Sequence, residues 1–460
     1  MKIKTRRKLL ALVAGVLSVS VLLSACTPNG DDGGGTGQDG TAPSGDGAAA
    51  TVINFHAWND QAQQRFERVV TLPEGVEVNW VITPNEGNMY QITLNNNLLN
   101  NPGSIDLFTV EADHIRNYVM PGIALDVINE VGLTQQDIQY MYPFTLQAAS
   151  DENGVLRGVS WEANPGLFLY RRSIAQEVFG TDDPEYIQSL VGTWEGFNQV
   201  AQQMHDAGFQ MLSGFDDSYR VFANNMANPL VDETNTIVID PLIHNWIDQT
   251  AHFTESGFNN GSSLWDSVWT QDQGSGSTVF GFFYSTWGIA FTLLANSLDV
   301  PVAEGGQLEV GNGLFGDWGA VHGPASWNWG GTWIMAAESS TADREILRSI
   351  MYQMTVSDTG LRAIVEDFGD FVNNSRLMEE FASDPDFGNA FLGGQNHIAL
   401  FVDTAPHITM DNLSQFDQAM TENIQASMMD YFNGVVDRDQ AWENFFTAVT
   451  TLHPHLQRPA

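Results

Sequence analysis

Eight of the 13 tryptophans fall between Trp246 and Trp333, several of them beside Gly, Asn or Asp. Core tryptophan is ordinarily embedded in apolar periodicity. Trp58 (His-Ala-Trp-Asn-Asp), Trp287 (Ser-Thr-Trp-Gly) and Trp329 (Trp-Asn-Trp-Gly-Gly) stand instead where strands should end. Aromatic rings that pack on apolar sugar faces, with carboxylates and amides accepting from hydroxyls, are what a neutral carbohydrate demands. Other chemistry lacks its residues. There is no H-E-x-x-H, C-x-x-C, G-x-S-x-G, Walker loop or calcium loop, and the ten histidines are scattered. The expectation is therefore a site without metal or cofactor. Gly35–Gly40 and Gly311–Gly316 both match G-x-G-x-x-G, but neither has the strand before and helix after that would give the match meaning.

The elements that must position these residues alternate. Thr51–Phe55 reads as a strand, followed by a helix through Arg65, Phe66, Val69 and Val70 that Asn59 or Asp60 could cap. Val76–Ile82 reads as a second strand, with a helix near Met89–Leu99, and Ile105–Val110 as a third, with a helical segment from Ala112. A new unit begins at Gly158–Tyr170, with helices near Ser173–Phe179 and Thr193–Ala207; Asp343–Met354 and Asp437–Val449 are helical by spacing. Strand–helix alternation predicts a parallel sheet covered by helices, and two α/β lobes suit 460 residues better than one. Ligands of such sheets bind beyond the carboxyl ends of strands. That selects Trp58 and Asp60, Glu86, and then Glu111 and Asp113. Asp60 and Glu111 could equally cap the helices that follow, and Glu86 could be a solvated loop acid. Trp265, Trp269, Trp318 and Trp333 are assigned to the core.

The formal charge is −38, and all three lysines lie in the first eight residues with two arginines and no acid. Beyond them 13 arginines face 56 acids, so no basic face can be assembled for nucleic acid or anionic lipid. Met1–Lys8 is basic, Leu9–Leu22 apolar, and Leu23-Ser24-Ala25-Cys26 follows, the layout of a secretory signal. Cys26 is the only cysteine, and its tetrapeptide resembles a bacterial lipobox, which implies lipidation there. Residues 27–50 hold eight glycines and no aromatic and read as a disordered tether.

Together these residues resemble an extracellular solute-binding protein of a bacterial ABC importer, of the sugar-type family that includes maltose-binding protein. Gly158–Arg171 (Gly-Val-Ser-Trp-Glu-Ala-Asn-Pro-Gly-Leu-Phe-Leu-Tyr-Arg) is similar to that family's crossing from first lobe to second. Thr193-Trp194-Glu195 resembles its helix start, Trp327–Trp333 its return strand, and Gly369–Asn374 its third crossing. The resemblance implies a two-lobe periplasmic-binding-protein-like α/β fold with hinge strands and an interlobe cleft. Residues 51–161 plus 329–371 would form lobe 1, and 162–328 plus 372–460 lobe 2. It implies ligand contacts at Glu162, Asn164, Arg220, Trp287, Trp329, Gly330 and Asp370. For Glu162 an interlobe salt bridge competes, for Arg220 pairing with Asp216 or Asp217, for Trp287 core packing, and for Asp370 a turn role. The expected protein is a monomeric, lipid-anchored sugar binder that delivers to a permease and catalyses nothing. The alternative is a secreted glycoside hydrolase using Glu111 and Glu162.

Overall fold

The computed structural model describes residues 50–459, so Cys26 and the glycine-rich segment up to residue 49 lie outside the described residues. The ten strands are β1 (Thr51–Ala57), β2 (Val76–Ile82), β3 (Leu107–Glu111), β4 (Val159–Ser160), β5 (Gly166–Arg171), β6 (Leu212–Gly214), β7 (Asn259–Ser262), β8 (Gly281–Ser285), β9 (Trp318–Val321) and β10 (Thr332–Ala336). They form a five-stranded sheet in the order β2-β1-β3-β10-β4, a three-stranded sheet β8-β5-β9, and the pair β6-β7.

The expectation of a parallel sheet holds for the first three strands and for the pair β6-β7. β1 runs parallel to β2 from Thr51↔Val76 to Ala57↔Ile82 and parallel to β3, but β10 lies antiparallel between β3 and β4. The second sheet is antiparallel throughout. The reason is connectivity. The chain returns to its first sheet from the other side after residue 321, a reversal that local alternation does not record.

Burial follows position in the sheet. β5, β8, β9 and β10 are buried at every residue, as strands covered on both faces must be, whereas β2 is an edge strand that no residue fully buries. Helix starts follow the local chemistry. The hydroxyl of Thr193 accepts from the Gly196 amide at 3.1 Å, and Asp343 and Asp437 accept from Glu345 and Gln440, each at 2.8 Å. No helix among the described residues is long and apolar enough to cross a membrane.

Three segments connect the sheets side by side. The Gly166 amide donates to the Trp327 carbonyl at 2.8 Å and the Trp329 amide to the Asn164 carbonyl at 3.1 Å. On the other flank Ala163 donates to Phe371 at 3.0 Å and Asn373 to Trp161 at 2.8 Å. The three stretches that the sequence singles out as crossings, around Glu162, Trp329 and Asp370, are thus one hydrogen-bonded ribbon.

Candidate functional site

β3 delivers Glu111 and then, through a short 3-10 turn, Asp113. Glu111 accepts from the Asp113 amide at 3.0 Å, so its capping role is observed. Facing them is Arg220, on the helix Tyr219–Ala223. Its guanidinium grips Asp113 with two parallel bonds of 2.9 and 2.6 Å. The expected competitors, Asp216 and Asp217, are committed elsewhere. Asp216 accepts from the Leu264 amide, and Asp217 from Ser213, Gly214 and the Trp269 indole. Arg220 also lies 5.1 Å from the centroid of the Trp329 ring. Loss of hydration, with Asp113 adding repulsion, pushes the Glu111 carboxyl up to about 8. For Asp113 dehydration works the same way, but the Arg220 guanidinium outweighs it and holds that carboxyl below its ordinary range.

Trp287 and Trp329 meet edge to face, 5.0 Å apart at 73°. Trp287 follows β8 as expected, but in a helical turn (Thr286–Gly288) and half-buried, its indole N–H donating to the Trp329 carbonyl at 2.9 Å. Gly330, at φ 83°, permits that approach, since a Cβ there would sit 2.9 Å from the Trp287 nitrogen. Asn164, buried beside them, bonds to Thr286 through its oxygen while its Nδ2 has no partner.

Glu162 is buried in the crossing ribbon, receives a 3.3 Å bond from Gln61, and is raised to about 7 by dehydration and the nearby Asp370. Asp370 is held by Arg65 at 2.9 and 2.7 Å and by the Trp161 indole at 3.3 Å, so it serves as an internal counter-ion. Trp58 is half-buried, edge-on to Tyr90 at 5.8 Å. Asp60 is exposed at a helix start, where its side chain makes no capping bond, and accepts from Gln64. Glu86 is exposed, opening a 3-10 turn, and no bond ties it to the cluster. The structure thus gathers Glu111, Asp113, Arg220, Trp329, Gly330, Trp287 and Asn164, with Glu162 and Asp370 in the adjoining ribbon.

Trp269, Trp318 and Trp333 are buried as expected. Trp265 is not: it is 54% exposed, 6.0 Å from both Trp287 and Trp329, and belongs to the aromatic cluster. Its isolated position in Ser-Ser-Leu-Trp-Asp-Ser, without helical or strand periodicity, was the available signal. Asn328 was missed as well. It lines a cavity together with Asp113 and Arg220, and its Oδ1 is buried without a partner.

Structural comparison matches this fold over most of the chain. An extracellular solute-binding protein of family 1 superposes with a TM-score of 0.71 at 14% identity, over 87% of this chain and 99% of that one. The fold is that of the extracellular solute-binding proteins. The GacH receptor of Streptomyces glaucescens, solved unliganded and with acarbose, shares it at TM-score 0.64 and 16% identity, over 89% and 100% of the two chains. So does the ABC transporter associated binding protein from B. animalis subsp. lactis, in complex with β-1,6-galactobiose, at 0.63 and 15%, over 89% and 100%. No family model matches the sequence, and no curated protein matches it. Within the solute-binding-protein fold, the aromatic cluster and the Asp113–Arg220 pair sit where the crossing ribbon meets the carboxyl end of β3.

Proposed function

We propose that this chain is the substrate-binding component of an ABC importer, which holds a sugar or oligosaccharide between its two halves and hands it to the permease unchanged. One observation carries the reading. At the junction of the crossing segments, tryptophan faces stand beside half-buried carboxylates and a guanidinium, the donor, acceptor and apolar set that a carbohydrate ring needs. Residues 51–161 plus 329–371 would move as one lobe and 162–328 plus 372–460 as the other, with the ribbon around Glu162 as hinge. Closure would then be a population shift driven by contacts that only the closed form makes. The protein would act as a monomer on the extracytoplasmic face, tethered by a lipid on Cys26.

A thermal-shift screen against a saccharide library, followed by calorimetry, tests this. At least one saccharide should raise the melting temperature and bind with 1:1 stoichiometry. Absence of any saccharide binding would refute the reading. The hydrolase alternative draws on Glu111 and Glu162, both raised above the usual carboxylate range, as a general acid requires. β10 lies between β3 and β4, which sets their backbones about 10 Å apart. Release of reducing ends from a bound oligosaccharide would establish that alternative in place of simple binding.

A further inference from the structure

Among the described residues, the non-glycine residues with left-handed backbone are Asn88, Asn235 and Trp265. Asparagine tolerates that region, whereas for a bulky aromatic it is an outlier. Trp265 (φ 72°) is the third residue of a turn closed by the Asp266 amide, which donates to the Ser263 carbonyl at 3.1 Å. A turn with positive φ at that position alone ordinarily places glycine there. The indole is 54% exposed, so burial does not offset the strain.

The surroundings fasten the turn from both sides. Asp216 accepts from the Leu264 amide at 3.0 and 3.2 Å. Asp266 accepts from the Ser263 amide at 2.9 Å and the Trp269 amide at 2.7 Å. Trp269 is in turn anchored in the core by its indole bond to Asp217 at 2.9 Å. What this fastening presents is one ring, nearly parallel to Trp287 (16°) at 6.0 Å and 6.0 Å from Trp329. Strain held in place by its neighbours, on a residue whose side chain is left in the open, is the mark of a position shaped for contact rather than for packing.

We infer that Trp265 is an outer ligand-contacting ring that extends the aromatic surface of Trp287 and Trp329 toward solvent, so the ligand is an oligosaccharide rather than a monosaccharide. This rests on the carbohydrate reading above. A single sugar ring is served by the inner pair, and a further ring adds affinity only when the ligand reaches it.

Calorimetry and urea melts on the full chain and its Trp265→Gly and Trp265→Phe variants test this, with glucose, maltose and maltotriose, and with galactose and β-1,6-galactobiose, as probes. In the unliganded Trp265→Gly protein the melting midpoint should stay level or rise, because glycine adopts positive φ without strain. Affinity for the longer saccharides of at least one series should fall about tenfold or more, as loss of an aromatic anchor does, while that for the monosaccharide stays unchanged. Trp265→Phe should retain most of the affinity for the longer sugars. A clear drop in the unliganded midpoint of Trp265→Gly, restored by Trp265→Phe, with sugar affinities unchanged, would make the residue structural and overturn the inference. Equal losses for mono- and oligosaccharide would overturn it too, by placing the ring at the inner site. If none of the five binds the wild type, the same comparison is made with the saccharide found by the library screen and its constituent monosaccharide; if that screen finds none, the carbohydrate reading fails and this inference falls with it.

Discussion

Breaking the Asp113–Arg220 pair should reveal coupling between the end of β3 and the helix Tyr219–Ala223. Two charge-assisted bonds of 2.9 and 2.6 Å join them, and the side chains remain 21% (Arg220) and 24% (Asp113) exposed. Hydrogen bonds to charged groups contribute about 1.5–3 kcal/mol each. Partial exposure screens the pair, so a coupling of about 2 kcal/mol is expected rather than the sum. The two single variants should differ. Asp113→Asn removes the charge that helps to hold Glu111 protonated, so Glu111 ionises more readily and takes over as the partner of Arg220; the loss should be about 1 kcal/mol. Arg220→Gln leaves Glu111 and Asp113 facing each other without a cation and should cost about 3 kcal/mol. Urea melts of the wild type, both singles and the double at pH 7 give the coupling by a double-mutant cycle. A coupling below about 0.5 kcal/mol, or Asp113→Asn proving the more damaging single, would refute this account.

Glu162→Gln should show a pH signature. Its carboxyl binds a proton up to about pH 7 in the folded chain but only up to its ordinary value of 4.5 when unfolded, so the folded form is favoured at low pH and that advantage is lost as pH rises through 7. The variant should match the wild type near pH 4.5 and be the more stable of the two at pH 8, read by thermal melts; the same difference between the two at both pH values would count against the assignment. Gly330→Ala should destabilise by about 1–3 kcal/mol, since φ 83° is strained for alanine and the new Cβ meets Trp287, while Gly369→Ala, with open space at the same handedness, should cost less. A palmitate analogue fed to expressing cells should label the wild type and spare Cys26→Ala; equal labelling would remove the lipid anchor from the proposal.

Where chemistry is local, the sequence was a good guide. The span Val76–Ile82 is a strand residue for residue, and the caps at Thr193, Asp343 and Asp437 start their helices as their side chains dictate. The antiparallel return of β10 was not legible as topology, because its partners, Glu111 opposite Thr332 and Ser160 opposite Trp333, lie far away along the chain. The site shows the same division. Residue type and strand ends pointed to Trp287, Trp329 and Glu111, but which acid Arg220 would choose depended on what else Asp216 and Asp217 had to hold. Trp265 was misassigned because burial is a tertiary property, and a left-handed tryptophan leaves no periodic trace.

The late insertion of β10 between β3 and β4 also sets a timetable for synthesis. The first sheet has β1, β2 and β3 early, but the gap between β3 and β4 stays open until Ala336 has been made, 225 residues after Glu111. At roughly 5–20 residues per second the ribosome needs on the order of 10–45 seconds to supply that strand. Through that interval the five-stranded sheet is incomplete, although the pair β6-β7 and the sheet β8-β5-β9 already have all their strands, and non-local pairing of this kind is intrinsically slow to form. The sheet that begins first along the chain is therefore the last of the three to be completable during synthesis, a consequence written into the order of its strands.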